Sequence, residues 1–332
     1  MPPATGRTAH WQLALKTAAM PVRMGGLEGV IRCFRPLPTA HCPQESPVTS
    51  QPQQDVCCLM GDPVAGNPTQ YMLEKAFDAA RLDWRFLTFE VPQKEFEGAL
   101  RGARIFVFRG IMLAPPHRGN VIPYLEEIGE AARISGQVNC IKQTEGKLRG
   151  YNTEGRALRQ LLEQAGSLKG AQVTIIGAGR LARAIAAELA LVGVGELKFV
   201  CRQPKKAEEL TQTLVSVTPL KSCRVEELTA GSLFPVGDPC QVLINATPVG
   251  PNQPDERLPI DLDGLSEQTI VADVVYNPPG TWLMNQARER GCRSVDGLTL
   301  LIEQAALAFE IWTSLSADRQ AMREAVEEFL VL

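Results

Sequence analysis

The sequence predicts an α/β protein built from two successive sheet-and-helix units and closed by two C-terminal helices. Three observations predict it. Short apolar runs alternate with stretches of helical periodicity from residue 56 to about residue 275, the pattern of strands joined by crossover helices. One of these runs, 173–176, leads straight into the glycine turn Gly177-Ala178-Gly179-Arg180-Leu181-Ala182 and an alanine-rich helical stretch. At 332 residues the chain also exceeds the size at which a single hydrophobic core stops growing, so two cores are expected.

Residues 1–55 are rich in Pro, Ser, Thr and Gln, with five basic residues against Glu28, Glu45 and Asp55. They are expected to be a largely disordered extension; the prolines argue against a long amphipathic transit sequence. Strands are then expected at 56–60, 84–89, 104–108 and 138–141, with helices at 71–82, 94–101 and 121–134. The second series starts at strand 173–176 and continues through helix 180–191, strand 197–200 and helix 205–215. Strands 241–245 and 269–275 complete it, predicting a parallel sheet with helices on both faces. Helices at 298–312 and 317–330 end the chain, the first with one apolar stripe through Leu301, Ala305, Ala308 and Trp312. Both are expected to return to the first unit. The expected division is therefore 56–153 plus 298–332 for one domain and 154–297 for the other.

With 45% hydrophobic and 21% charged residues and a net charge of −3, the composition is that of a soluble globular protein. It favours neither nucleic acid nor membrane as a partner. The nine cysteines form no Cys-x-x-Cys pair and no cluster with histidine, so neither a disulfide framework nor a metal site is indicated, and a reducing cytoplasm fits best. The oligomeric state is open, with a homodimer among the readings.

The glycine turn is the strongest local signal, because a G-x-G-x-x-A turn between a strand and a helix is the setting that dinucleotide binding requires. Gly177 permits the tight turn and Gly179 lets the backbone approach a pyrophosphate. Ala182 is small enough for the helix to pack on the sheet, while Ala178, Arg180 and Leu181 complete the helix N-terminus that receives the anion. These features define a Rossmann-type, doubly wound domain. The end of the next strand selects the cofactor. Cys201-Arg202-Gln203-Pro204-Lys205-Lys206 carries three cations and no carboxylate, which favours NADP over NAD through the 2′-phosphate. Arg202 is expected to stack on the adenine or to fork the phosphate; Lys205 and Lys206 read equally well as phosphate contacts or as a solvated first helical turn.

Several blocks, in this order and spacing, resemble the shikimate dehydrogenase family over residues from about 57 to 313: Gly61-Asp62-Pro63-Val64-Ala65, Pro116-His117, Gly136-Gln137-Val138-Asn139, Gly150-Tyr151-Asn152-Thr153-Glu154-Gly155, the glycine turn, Asn245-Ala246-Thr247-Pro248-Val249-Gly250, Asp273-Val274-Val275-Tyr276-Asn277-Pro278, and Gly297 through Gln304 to Trp312. The resemblance implies an N-terminal substrate domain, an NADP domain and a cleft between them. The implied reaction is interconversion of shikimate and 3-dehydroshikimate by hydride transfer in aromatic amino-acid biosynthesis. It also implies substrate contacts from Asn139, Tyr276 and Gln304, and cofactor contacts from Thr247, Val274 and Gly297.

The family pattern is broken at its chemical centre. The family's paired Lys and Asp correspond here to Arg118 and Glu154. Arginine keeps its proton below a pKa of roughly 12 and is a poor general base, whereas lysine can be tuned towards neutrality. Arg118 therefore reads as a group that orients the substrate or stabilises an alkoxide, leaving Glu154 or a water to carry the proton. A salt bridge without catalysis is the competing reading. The family's Ser-x-Ser, which holds the substrate carboxylate, reads Asn67-Pro68-Thr69, and the threonine four residues before its lysine reads Ala114. Three functions remain on this reading. They are a shikimate dehydrogenase, a relative acting on quinate or another cyclic hydroxy acid or polyol, and a non-catalytic NADP-binding protein. His117 is expected to be structural or part of the cleft wall.

Overall fold

The computed structural model describes residues 54–229, 231–237, 239–250 and 255–332. The expectation of a disordered extension falls on residues outside these, except at Gln54 and Asp55. Asp55 already belongs to the first strand, and all described residues fall in one unit.

The first sheet forms from β1 (Asp55–Gly61), α1 (Thr69–Ala79), β2 (Trp84–Glu90), α2 (Phe96–Ile105), β3 (Gly110–Leu113), α3 (His117–Asn120), β4 (Glu127–Ile128), α4 (Glu130–Ser135), β5 (Cys140–Thr144) and β6 (Lys147–Tyr151). Its strand order is β2-β1-β3-β5-β6-β4, with β1 parallel to β2 and β3, and β5 antiparallel to β3 and β6. Alternation along β1 feeds both faces: Cys57 and Leu59 join the core beneath α1, while Cys58 and Met60 join the core beneath α2.

The second sheet follows α5 (Thr153–Ala165). It comprises β7 (Gln172–Ile176), α6 (Arg180–Leu191), β8 (Glu196–Cys201), α7 (Lys205–Val217), β9 (Ser222–Glu227), β11 (Val242–Asn245), β13 (Ile270–Asp273), α8 (Trp282–Glu289) and β14 (Arg293–Val295), with β10 (Phe234–Pro235) and β12 (Ile260–Asp261) as a separate pair. The order β14-β13-β11-β7-β8-β9 is wholly parallel. The chain leaves β7 in one direction and returns to its other side at β11, which opens a crevice at the carboxyl ends of these two strands.

Two expectations fail. The run 104–108 reads as a strand because it is apolar, but Arg104 and Ile105 finish α2 and the strand is the next segment, β3. Ile105, Phe106 and Val107 are exposed, and Val107 takes a left-handed φ of 57° that stops the helix. The run 121–134 is not one helix. Pro123 sits in a single 3-10 turn, β4 pairs with β6 at the sheet edge, and Gly129 then starts α4.

Helices α9 (Gly297–Thr313) and α10 (Arg319–Leu330) close the molecule. Leu300 and Leu307 enter the core of the second sheet, whereas Leu301, Ala305, Ala308 and Trp312 enter that of the first, so α9 belongs to both. The Trp312 indole donates to the Ile141 carbonyl at 2.9 Å and stacks on Phe86. Gly110 lies directly under the indole, where a Cβ has no room. Arg319 of α10 clamps Glu303 at 2.6 Å and Glu310 at 3.0 Å on α9. No described helix is long and apolar enough to cross a membrane.

Candidate active site

A cavity of about 180 Å³ opens at the carboxyl ends of β1 and β3, under the start of α9 and beside the end of β13. Arg118 is held in it from two sides. Its Nε donates to the Leu113 carbonyl at 3.0 Å, and its Nη2 meets Glu154 Oε1 at 2.7 Å. The two side chains are 18% and 10% exposed, so the pair is largely withdrawn from water while still facing the cavity. Glu154 owes its place to a capped helix start. Asn152 accepts from the Gly155 amide at 2.9 Å, and Gly155 lets α5 pass so close to Ala184 that a Cβ would touch its carbonyl.

Asn67, Thr69, Tyr276 and Gln304 line the same cavity, together with Val274, Gly297 and Leu181. The Asn67 Oδ1 is engaged by the Thr69 amide at 3.0 Å, leaving its NH2 and the threonine hydroxyl as donors. Burial raises the Tyr276 phenol above its usual range, so it is a neutral donor or acceptor at physiological pH. Gln304 Oε1 is buried and has no hydrogen-bond partner among the described residues, an acceptor left for a ligand. Asn139 does not line this cavity. Its Nδ2 donates to Thr153 Oγ1 at 3.0 Å and its Oδ1 accepts from the Thr153 amide at 2.7 Å, so it fixes the residue beside Glu154. His117 is fully buried, stacked 4.2 Å from Phe96, with Nε2 2.7 Å from the Val91 carbonyl, so it points away from the cavity chemistry.

A second hollow of about 340 Å³ lies in the crevice of the parallel sheet and is lined by Gly177, Ala178, Gly179, Arg202, Gln203 and Thr247, among others. Gly177 has φ +109°, and a Cβ there would stand 3.0 Å from the Ala246 carbonyl and the Thr247 methyl. Gly179 caps α6 with an ordinary extended φ, and a Cβ there would meet nothing within 4 Å. The first glycine is thus demanded by the fold and the second leaves open space at a helix N-terminus, the cradle a pyrophosphate fits. Arg202 is exposed and forms no ion pair with a described residue. Arg180 and Lys205 are exposed outside the hollow's lining, and the Lys206 side chain lies outside the described residues. Leu181, two residues past Gly179, reaches the first cavity, so the two hollows adjoin.

Leu59, Met112, Leu300 and Leu301, none of them a site residue expected from the sequence, form apolar walls of the first cavity. Gln203 and Leu228, likewise unexpected, line the second. The apolar walls carry no signal that separates them from core residues; Gln203 could have been found from its place between Arg202 and Pro204.

A doubly wound parallel sheet with a glycine turn at its crevice, joined to a second sheet through a shared polar cavity, defines a Rossmann-type two-sheet protein. Three family descriptions match the chain: the shikimate dehydrogenase substrate binding domain at residues 59–141, the shikimate/quinate 5-dehydrogenase domain at 159–231 and the shikimate 5′-dehydrogenase C-terminal domain at 297–327. The chain belongs to the shikimate dehydrogenase family. It is 36% identical to the NADP(+)-named shikimate dehydrogenase of Methanopyrus kandleri over 289 residues, covering 85% of this chain and 98% of that one. Among solved structures it is similar to 5-ketofructose reductase of Gluconobacter, with TM-score 0.80 and 34% identity over 83% of this chain and 99% of that one. Shikimate 5-dehydrogenase of Listeria monocytogenes, crystallised with shikimate and NAD, gives TM-score 0.76 and 30% identity over 82% and 96%.

Proposed function

We propose that the chain is an NADP-dependent dehydrogenase of the shikimate type, interconverting the C3 hydroxyl of shikimate and the ketone of 3-dehydroshikimate. The observation that carries this reading is the Arg118–Glu154 pair, held at 2.7 Å in a cavity that Val274 and Gly297 also line. The substrate part comprises 56–153 with 298–332 and the cofactor part 154–297, in a cytoplasmic enzyme.

The cofactor supplies or accepts the hydride; the chain binds, orients and moves one proton. Gly177–Leu181 and Thr247 would hold the dinucleotide, with Arg202 to meet its 2′-phosphate and Lys205 and Lys206 adding positive charge from the adjoining helical turn. Arg118, fixed by Leu113 and Glu154, directs a permanent positive charge at the carbonyl oxygen and stabilises the alkoxide. Glu154 lies within one hydrogen bond of Arg118 and passes the proton directly or through one water. Asn67, Thr69, Tyr276 and Gln304 hold the ring substituents, and Asn139 acts one step back, through Thr153.

One observation favours a second reading, a polyol or hydroxyketone without a carboxylate. The Thr69 amide is spent on Asn67 Oδ1 and Ala114 offers no hydroxyl, which reduces the donors that a carboxylate needs. The deciding experiment measures NADP reduction with shikimate and with quinate, and NADPH oxidation with 3-dehydroshikimate and with 5-ketofructose. Turnover of the shikimate pair supports the first reading. Turnover of 5-ketofructose alone moves the assignment to the second, and NADPH binding without any turnover leaves a non-catalytic protein.

A further inference from the structure

One buried acid takes no part in the reaction above. Asp273 ends β13 and is 1% exposed. Three donors converge on it: Asn245 Nδ2 at 2.9 Å and the Val275 amide at 3.0 Å on Oδ1, and the Thr281 hydroxyl at 2.8 Å on Oδ2. The Thr281 oxygen itself accepts from the Met284 amide at 3.3 Å, which leaves its hydrogen for the carboxylate. No described cation pairs with Asp273, so these donors, with the neighbouring Val274 amide, hold an acid in a strand end otherwise built of Ile270, Val271 and Ala272.

The bonds run further. Asn245, wholly buried and opposite Asp273 in the ladder, accepts through Oδ1 from the Thr247 amide at 3.0 Å and the Thr247 hydroxyl at 2.7 Å. Thr247 lines the dinucleotide crevice, whereas Val274 and Tyr276, on either side of the Val275 amide that Asp273 binds, line the substrate cavity. One carboxylate therefore spans the two sites through one intermediate residue.

We propose that Asp273 is a positioning residue, which fixes the Val274–Tyr276 segment relative to Thr247 and so sets how the reacting end of the cofactor faces the substrate. The inference rests on the proposed dehydrogenase reading for its kinetic consequence, although not for its structural one. An acid suits the place because all three neighbours donate; an amide would present its NH2 to one of them. Burial pushes the carboxyl above its ordinary range, so the protein holds the acid there against a desolvation cost.

The test compares wild type, D273N and T281V by three measurements: NADPH titration followed by nicotinamide fluorescence, thermal unfolding, and kcat with its deuterium isotope effect using 4-deuterated NADPH. For D273N the expected result is an NADPH Kd within about threefold of wild type, altered emission of the bound nicotinamide, and kcat lowered about 10–100-fold with a larger isotope effect, as displacement of about 1 Å at a reacting centre costs on the order of 100-fold. T281V removes only the Oδ2 donor and is expected to lower kcat by about 3–10-fold, which keeps the test intact if D273N does not fold. An unfolding shift with kcat, isotope effect and bound-nicotinamide emission all unchanged overturns the proposal, because a merely structural acid gives that result. If wild type turns over none of the four substrates, the dehydrogenase reading fails by itself, and the emission of bound NADPH still decides the role of Asp273.

Discussion

Replacing each of the two turn glycines by alanine separates what folding requires from what a ligand requires. Gly177 has φ +109°, with the Ala246 carbonyl and Thr247 methyl 3.0 Å from where a Cβ would stand. Backbone strain of this kind costs about 1–3 kcal/mol, so in a chain of this size Tm should fall by roughly 2–5 °C. Gly179 has an extended φ of −74° and open space on the Cβ side. Losing glycine from a helix N-cap costs about 0.5 kcal/mol, and the reduced freedom of the unfolded chain returns a similar amount, about 0.4–1 kcal/mol. Tm should therefore stay within about 2 °C of wild type. The added methyl would instead hold a pyrophosphate away from the first amides of α6. Charge-assisted hydrogen bonds are worth about 1.5–3 kcal/mol each, so weakening one or two raises the NADPH Kd about 10–100-fold. Calorimetry and fluorescence titration of the two variants test both halves. Unchanged NADPH affinity in G179A, or an unfolding shift in G179A equal to that in G177A, would refute the assignment of the two glycines.

Three further outcomes follow from other contacts. E154Q should lower kcat by about 10²–10⁴-fold if Glu154 moves the proton, whereas R118M, which strands a carboxylate only 10% exposed, should cost about 3–5 kcal/mol in urea unfolding; an E154Q enzyme of wild-type rate returns the pair to a structural salt bridge. W312A should lose about 3–5 kcal/mol, because it opens a cavity over Gly110 and leaves the Ile141 carbonyl without its donor; a loss below about 1 kcal/mol would mean that α9 is not anchored there. Asp273 protonates more readily folded than unfolded, so the native state binds more protons above the ordinary pKa of 3.8, and stability falls as pH rises from there through the raised folded value. D273N should remove that part of the slope in Tm against pH, and parallel wild-type and D273N curves would count against it.

The second sheet was more legible in the sequence than the first. Helix α6 begins and ends at the expected residues, 180 and 191, because a glycine turn marks its start and a buried alanine face its length. β8 and α7 lie within two residues of expectation for similar reasons. The first sheet mixes parallel and antiparallel pairs over short strands, so apolar runs mislead. Ile105, Phe106 and Val107 are apolar but exposed, whereas β3 is only four residues long and opens on a glycine held under Trp312. β6 was missed, although Glu145 and Gly146, both at positive φ, form the tight hairpin turn before it. At the site, Arg118, Glu154, Tyr276 and Gln304 share one cavity as their motifs implied. The support of Asp273 by Asn245 and Thr281 was not legible, because those residues lie 28 and 8 positions away and meet only through sheet register and the α8 cap.

Helix α9 gives the molecule a lever. Gly297 lies against the Val275–Tyr276 backbone with no room for a Cβ, while Trp312, fifteen residues on, is pinned to β5 through the Ile141 carbonyl. At 1.5 Å per residue those ends are about 22 Å apart on one stiff rod. A tilt introduced at the tryptophan is therefore carried along the helix towards the wall of the substrate cavity. Variation far from the chemistry, along the contact of α9 with α10, is then a route by which selection could retune turnover while leaving every residue that touches substrate unchanged.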